Sequence, residues 1–394
     1  MSTLVRQPLW RRWTLASFFG RLPMTMTLLA LVLVGDRVSG SLAVGAQLAG
    51  VATLTAGLSA PLRGRQLDRG GLREGLRNAG LLTAAVLLAQ VVAVVASWPL
   101  AILYVLAAAE GVALAAMSGG YRALLVPVVS AEDLPRANTL EAVFIEVAFV
   151  AGPSLAGVLA LLVGPVGVLV AMAAFAACSA ALVMTLPAVP GGRDVEGAAP
   201  WRVPGAGAVY LLALVMGVTV GLLESALPAR AEDLGMAAAA AGPLLALTAA
   251  GNAVGGLLAA VRHDHRRHQV RVGVALLVSF GLLLAALAAS GNTLLLAVAL
   301  FAAGVPIAPL NALGSLRLQD RLPARRLGEG FAVYTAMILV GAGIGNSTTG
   351  QLLDRVGAQA LLFGCAIAPV IAAAGVTLVM LRRPQRQPVM QDAA

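Results

Sequence analysis

The sequence predicts an all-α integral membrane protein with twelve transmembrane helices. The chain has 394 residues, of which 59% are hydrophobic and 11% are charged, and its mean hydropathy is +0.90. A soluble domain has roughly 25% charged residues, so this chain lacks the charge needed to cover a water-facing surface. Apolar runs of about 20 residues recur from end to end, and each is long enough to cross the hydrocarbon core. The runs are continuous rather than alternating, which favours helices over the strands of a barrel.

The apolar runs divide the chain into twelve predicted helices, called segments 1 to 12. In chain order they cover residues 14–35, 41–62, 78–97, 99–121, 139–162, 164–186, 205–228, 238–261, 272–291, 293–316, 329–352 and 357–381. The first run is too long for the hydrophobic core of a signal peptide, so we interpret it as segment 1. A hydrophilic break near mid-chain contains prolines and glycines, which is typical of a linker. We therefore predict an N-terminal six-helix half (1–186), a linker (187–204) and a C-terminal six-helix half (205–394), related by pseudo-two-fold symmetry.

The two predicted halves show a faint repeat. Three positions recur at one constant offset, and the pairs are Leu134 and Leu322, Glu141 and Glu329, and Gly157 and Gly345. Each set leads into the helix that follows a basic loop, segment 5 or segment 11. This placement favours a parallel duplication. Both glutamates fall at the start of their segment, where we expect water to be near.

Arginine carries all the basic charge, because the sequence contains no lysine, and the formal net charge is +9. Most arginines lie at the termini and in the loops after the even-numbered segments. The other loops contain only Arg37, Arg230 and Arg355. The positive-inside rule therefore predicts a multi-pass protein of the cell membrane with both termini cytoplasmic. Because the arginines sit in short loops between apolar runs, we expect no nucleic-acid partner.

The loop after segment 2 places one acid in a basic turn. It reads GRQLDRGGLR over residues 64–73, and the residues of interest are Gly64, Asp68, Arg69, Gly71 and Arg73. This loop resembles the signature loop of the major facilitator superfamily, although a leucine stands where a basic residue is usual. Twelve segments in two halves with a cytoplasmic linker are also that family's layout. The resemblance implies a gate, in which glycines allow a tight turn and the acid faces a helix N-terminus or an arginine. The alternative is a basic loop that only sets topology.

A second stretch in segment 5 contains Gly152, Pro153 and Gly157. It resembles the Gly-Pro stretch of proton-driven exporters in the same superfamily, but the glycines expected upstream are missing. Segment 4 also departs from those exporters, because Ala107 stands where many of them have an arginine four residues before a glycine. The resemblance implies alternating access around a cavity lined by segments 1, 4, 7 and 10, with export as the direction. The alternative for this stretch is ordinary helix packing.

Four ionisable residues fall inside predicted segments, and they are Arg21, Glu110, Glu146 and Glu224. A charge at the bilayer centre costs about 2.5–3.5 kcal/mol on insertion scales, so such residues usually pair or line a wet cavity. Arg21 and Glu146 should lie at similar depth, so we predict that they pair, with Glu110 as a competing partner. The pair is either structural or part of a transport cycle. Glu224 has no predicted partner, which favours its protonated form and a role in proton carriage, unless it reaches the outer surface.

Several other classes of function lack support in the sequence. The three histidines within residues 262–268 alternate with arginines, which repel cations, so we expect neither a metal site nor a cofactor. No Gly-rich phosphate loop indicates direct ATP drive, and no clustered nucleophile and base indicate an enzyme. We therefore expect a monomeric, proton-coupled antiporter that exports a small molecule. The alternatives are an importer, a symporter or a facilitator of a small solute, and a non-transporting membrane partner or sensor.

Overall fold

The computed structural model describes residues 6–115, 117–130, 132–188, 203, 205–261, 269–322 and 327–381. Its account of side chains leaves out those of residues 68, 69, 118, 135, 260, 261, 269, 327, 328 and 378–381. Within the described residues, ten helices are long and apolar enough to cross a membrane. Two of these ten are double-length helices with a sharp internal break, at Gly164 and at Gly357. Counting their arms separately gives twelve spanning segments, so the predicted all-α membrane fold is confirmed.

The helices of the N-terminal half are numbered by the segment they form. Helix α1 is Pro8–Ser39, α2 is Leu42–Gly70 and α3 is Leu72–Val95. Helix α4 consists of two parts, Leu100–Leu114 and Met117–Leu125. Helices α5 and α6 are the two arms of Leu134–Val183, on either side of Gly164.

The C-terminal half repeats this arrangement. Helix α7 is Ala206–Asp233, α8 is Ala241–Val261 and α9 is Gln269–Ala288. Helix α10 again has two parts, Thr293–Gly304 and Ile307–Gln319. Helices α11 and α12 are the arms of Leu327–Leu381, on either side of Gly357. The predicted linker falls almost wholly on residues 189–202, which lie outside the described part of the chain.

The breaks at Gly164 and Gly357 explain how segments 5 and 6, and segments 11 and 12, reverse direction without a loop. The backbone φ angles there are +75° and +78°. A side chain with a Cβ is disfavoured at these angles, whereas glycine adopts them readily. Pro165 follows the first break, and its fixed φ suits the first turn of the new helix. Each half therefore uses one glycine to join its fifth and sixth helices.

Buried hydrophobic residues form three clusters that show how the halves are joined. We call the side on which α1 begins the terminal side, and the other the opposite side. A shared cluster fills the middle and the opposite side, and it combines N-terminal residues such as Leu29 with C-terminal residues such as Leu227. On the terminal side, one cluster around Trp13 contains only residues of the N-terminal half, and another around Tyr334 contains only residues of the C-terminal half. The described halves thus share a core on the opposite side and have separate cores on the terminal side.

The contact between the halves, here called the seam, consists of α2 against α11 and α5 against α8. Helix α2 approaches α11 closely at two glycines. The backbone of Ser347 leaves no room for a Cβ on Gly50, and a Cβ on Gly57 would lie 2.8 Å from the amide nitrogen of Val340. Nearer the terminal side the packing loosens, since Leu62 of α2 is 62% exposed. Small residues therefore allow the closest approach where the halves share their core.

Candidate functional site

A buried ion cluster joins α1, α4 and α5 on the terminal side. Arg21 of α1 forms an ion pair with Glu141 of α5, with 2.7 Å between Nη2 and Oε1. Arg122 of α4 contacts the same carboxylate at 3.2 Å. Arg21 also donates to the hydroxyl of Ser17 and lies over the ring of Tyr121, with Cζ 5.8 Å from the ring centroid. Arg21 is 2% exposed and Glu141 is 0% exposed, so the pair holds α1 and α5 together inside the bundle.

The predicted pairing of Arg21 with Glu146 is therefore wrong, as is the expectation that Glu141 lies near water. The reason is where the helices begin. We predicted segment 5 from residue 139, but the helix begins at Leu134, which places Glu141 about 10 Å along it at about 1.5 Å per residue. Helix α1 begins at Pro8 rather than at residue 14, so Arg21 lies further along its helix than the predicted segment implied.

Glu110 lies in a closed polar cluster within the N-terminal half, and not beside Arg21 as the competing prediction had it. Its carboxylate accepts a hydrogen bond from the hydroxyl of Thr27 at 2.7 Å and another from Nε2 of Gln90 at 2.8 Å. The side chain is 0% exposed. Thr27 and Gln90 lie on α1 and α3, so three helices surround this acid with uncharged donors.

Glu224 of α7 accepts no hydrogen bond and forms no ion pair with any residue in the described part of the chain. It is half-buried. Its neighbour Ser225 bonds instead to Thr349 of α11 at 2.8 Å. Two glycines on the same helix, Gly217 and Gly221, pack against the backbone of α11 with no space for a Cβ. Glu224 thus belongs to a helix that is otherwise tightly packed on its partner.

Glu146 of α5 lies on the seam. Its Oε2 accepts a hydrogen bond from Nδ2 of Asn252 on α8 at 3.2 Å, so this carboxylate contacts the other half of the protein. Glu146 is half-buried. One turn nearer the terminal side, Val143 is 53% exposed. The acid therefore sits close to where the shared packing of α5 and α8 gives way to exposed surface.

The exporter-like stretch of segment 5 also lies on the seam. The carbonyl of Pro153 leaves no room for a Cβ on Gly242 of α8, and the carbonyl of Ala239, just before α8, leaves none on Gly157. On the other side of α5, Gly152 lies against Thr25 of α1. The stretch thus permits α5 to approach both α1 and α8. Such close contact is also what the alternative of ordinary helix packing requires.

The candidate gating loop is mostly helix. Residues from Gly64 to Gly70 continue α2, and the turn is made at Gly71, whose φ is +88°. We predicted that two glycines form a tight turn, but Gly64 is helical and the turn occurs at Gly71 alone. Arg73 contacts Glu74 at 2.8 Å and the carbonyl of Leu186 at 3.4 Å. The structure does not describe the side chains of residues 68 and 69, which are the acid and the first arginine of the predicted gate.

Polar contacts also cross the seam at both ends of α2. On the terminal side, Arg65 and Glu329 are 4.0 Å apart, and both side chains are exposed. On the opposite side, Gln47 donates to the carbonyl of Gly350 at 2.8 Å. The two glutamates matched by the repeat thus have different environments. Glu141 is buried inside the N-terminal half, whereas Glu329 is exposed and close to the other half.

Sequence reasoning missed several polar residues in these sites, namely Thr27, Gln90, Arg122 and Asn252. Arg122 was counted among the loop arginines because the predicted segment 4 stopped one residue before it. The other three are uncharged residues inside apolar runs. A search for every polar side chain within a predicted segment, rather than for ionised ones alone, would have found them.

The histidine-containing stretch 262–268, for which we expected no metal, lies outside the described residues. The remaining features define a class. The protein is a multi-pass membrane protein of two six-helix halves, with Glu110 and Glu141 buried inside the N-terminal half and Glu146 on the seam within the bundle.

Comparisons with known proteins agree with this class. Residues 209–393 match the family model described as Major Facilitator Superfamily. Among solved structures, the nucleoside transporter NupG superposes with a TM-score of 0.74 at 14% identity, covering 96% of this chain and 100% of its own. The POT family transporter PepTSo gives 0.75 at 10% identity, covering 95% and 98%. The human organic anion transporter MFSD10 gives 0.65 at 14% identity, covering 94% and 99%. No curated protein sequence matches the chain.

Residues 209–393 match the Major Facilitator Superfamily by sequence, and nearly the whole chain has the fold of the solved transporters named above. The resemblance noted in the loop and in segment 5 of the N-terminal half is to the same family that the C-terminal half matches. Family and fold support a role in secondary transport of a small molecule across a membrane.

Proposed function

We propose that this protein is a secondary active transporter that exports a small molecule in exchange for protons, by alternating access. The observation that carries the proposal is the arrangement of the three hydrophobic clusters. The halves share one core on the opposite side and have separate cores on the terminal side. A transporter that opens to one side at a time needs such an asymmetry, because one side must be closed while the other admits the substrate.

We propose further that the terminal side is cytoplasmic, so this conformation faces the cytoplasm of a cell whose membrane contains the protein as a monomer. The arginine-rich loops on that side support this orientation. A monomer is sufficient because both halves of the seam come from one chain. The loop with Asp68 and Arg69 would clamp this side when it closes, and the nearby pair Arg65–Glu329 already joins the two halves there.

For proton coupling we favour Glu224 over Glu110 and Glu146. Glu110 accepts two hydrogen bonds inside the N-terminal half, and Glu146 accepts one from the other half. Glu224 has no such donor among the described residues. Burial of an unpaired carboxylate in its ionised form is costly, so this acid gains most from binding a proton. It also lies on α7, one of the helices that the family resemblance assigns to the cavity.

The test is transport into everted membrane vesicles across a panel of small molecules, with and without a protonophore. We expect at least one compound to accumulate and the protonophore to abolish its accumulation. In the same vesicles, Glu224→Gln should lose proton-driven accumulation but keep substrate exchange, which needs no net proton movement. Glu110→Gln and Glu146→Gln provide the comparison. If all three variants kept proton-driven accumulation, coupling through these acids would be refuted.

The same assay distinguishes the alternatives. Substrate that enters right-side-out vesicles with protons would identify an importer or symporter. Transport at the same rate with and without the protonophore would identify a facilitator. A protein that moves none of the compounds in either orientation, while remaining folded, would favour the partner or sensor class.

A further inference from the structure

The seam contains one acid near the middle of the membrane-spanning bundle. Glu146 lies 12 residues after Leu134, the first residue of its helix, or about 18 Å along it at about 1.5 Å per residue. Other acids that contact the opposite half within the described chain are Glu329 and Asp354, and both lie toward the ends of the bundle. The carboxylate of Glu146 has no arginine partner there, because Arg21 pairs with Glu141.

Two polar atoms on the face of α8 that meets this carboxylate have no hydrogen-bond partner among the described residues. They are Oδ1 of Asn252 and Oγ1 of Thr248, and both atoms are buried. Thr248 as a whole is only 9% exposed. The two residues are one helical turn apart on α8, so their side chains lie on the same face, and Asn252 on that face reaches Glu146. Buried polar groups are normally satisfied, so unpaired ones need an explanation.

We propose that Glu146, Asn252 and Thr248 form a recognition site for an ammonium group, and that the transported molecule is an organic cation. The inference rests on the proposed transport function and specifies its substrate class. The three side chains offer a carboxylate, an amide carbonyl and a hydroxyl, and each can accept a hydrogen bond. An ammonium group has three N–H donors and no acceptor, so it would satisfy all three oxygens and neutralise the acid.

The geometry also explains how such a ligand would enter. Glu146 is half-buried, and α5 is exposed one turn nearer the terminal side, so the carboxylate is reachable from the side on which the halves are separate. In the present state its partner is the neutral amide of Asn252. An ammonium donor makes a stronger, charge-assisted hydrogen bond, so it would compete well for the carboxylate. Because the site draws on both halves, its ligand would contact α5 and α8 together.

The experiment measures equilibrium binding of two matched probes to the purified protein in lipid nanodiscs. The first probe is monodansylcadaverine, which carries a protonated primary amine, and the second is its N-acetylated, uncharged derivative. Dansyl fluorescence reports both at pH 7. We expect the wild-type protein to bind the charged probe about tenfold more tightly, as a charge-assisted contact would give. Glu146→Gln should reduce that preference to near unity.

Two further variants separate recognition from folding. Thr248→Val keeps the shape of the side chain and removes its hydroxyl, so it should weaken the charged probe several-fold and leave the acetylated probe unchanged. Glu132→Gln makes the same acid-to-amide change in an exposed loop and should keep the wild-type preference. A preference that survives both Glu146→Gln and Thr248→Val would overturn the proposal, as would a wild-type protein that does not discriminate between the probes.

This binding experiment is independent of transport, because it needs neither a gradient nor a conformational cycle. A protein that prefers the charged probe but moves no compound in vesicles would contradict the proposed function and leave the ammonium site standing. If the protein exported an uncharged compound with protons but showed no preference for the charged probe, the proposed function would stand and the ammonium site would be contradicted.

Discussion

Arg21 and Glu141 form an ion pair of 2.7 Å between α1 and α5, and both side chains are almost completely buried. Glu141 is also the acid that the sequence repeat matches to Glu329. Since the carboxylate is shared with Arg122, the cluster carries one more positive than negative charge. Its first consequence is for the stability of the N-terminal half.

We expect Glu141→Ala to destabilise the protein strongly, because it leaves Arg21 buried without a counter-charge. Breaking a buried pair in this way typically costs about 3–5 kcal/mol. We expect the free energy of unfolding to fall by an amount of this order. The measurement is thermal unfolding in detergent, monitored by tryptophan fluorescence. Arg21→Met combined with Glu141→Leu should recover much of the loss, because apolar side chains need no counter-charge. A Glu141→Ala protein as stable as Glu132→Gln would show that the pair contributes little.

Asp68→Asn should impair transport while leaving the protein folded and inserted. The acid lies in a basic segment beside the seam, and removal of its charge should shift the balance between the two conformations rather than unfold either. The readout is the initial rate of transport per inserted molecule. Asp320→Asn, at the terminal end of α10, is the matched control and should transport normally. Wild-type turnover in Asp68→Asn would remove the reason to call this segment a gate.

Gly71→Ala should cost more stability than Gly64→Ala. Gly71 makes the turn between α2 and α3 at a φ of +88°, where a residue with a Cβ is strained by about 1–3 kcal/mol. Gly64 lies within α2 and has open space around its Cα, so alanine there should be neutral or slightly favourable. Thermal unfolding of the two variants side by side provides the measurement. Equal midpoints would mean that the turn at Gly71 tolerates a side chain.

Gly157→Val should disfavour the conformation that is closed on the opposite side. The carbonyl of Ala239, just before α8, leaves no room for a side chain at Gly157, whereas Gly207 on α7 has open space, so Gly207→Val is the control. The reporter is Ser347→Cys on the α2–α11 part of the seam, in a background with Cys178 and Cys365 replaced by serine. We expect Gly157→Val to increase its labelling by an impermeant thiol reagent. Unchanged labelling would indicate that the seam opens elsewhere.

The orientation in the membrane can be tested with single cysteines in the same background. Arg193→Cys and His265→Cys should be protected from impermeant thiol reagents added to intact cells, because the positive-inside rule places both loops in the cytoplasm. Asn292→Cys, in the exposed turn before α10, should react. Labelling of Arg193→Cys from outside would reverse the proposed topology.

The sequence was informative about the fold because hydrophobic length is a property of each segment by itself. All twelve predicted segments overlap an observed helix or helix arm, and the resemblance in residues 64–73 is to the family whose model matches residues 209–393. The pairing of Arg21 with Glu141 could not be obtained in this way. It depends on where α1 and α5 begin and how they rotate about their axes, and neither follows from where hydrophobicity starts.

The seam was harder still to predict. Asn252 and Thr248 are ordinary polar residues in an apolar run, and their importance comes only from the approach of α8 to α5. That approach is allowed by Gly157 and Gly242, which lie in different halves of the chain. No local pattern in either half indicates the contact, because each glycine alone is also compatible with packing inside its own half.

The separate cores on the terminal side have a consequence for biosynthesis. Every residue of the cluster around Trp13 comes from the first half of the chain, so this half can bury Trp10 and Trp13 while the ribosome is still translating α7. The shared cluster cannot form until both halves have been inserted. We therefore expect assembly in two stages, in which the first half folds during synthesis and the seam closes after the last helices have entered the membrane.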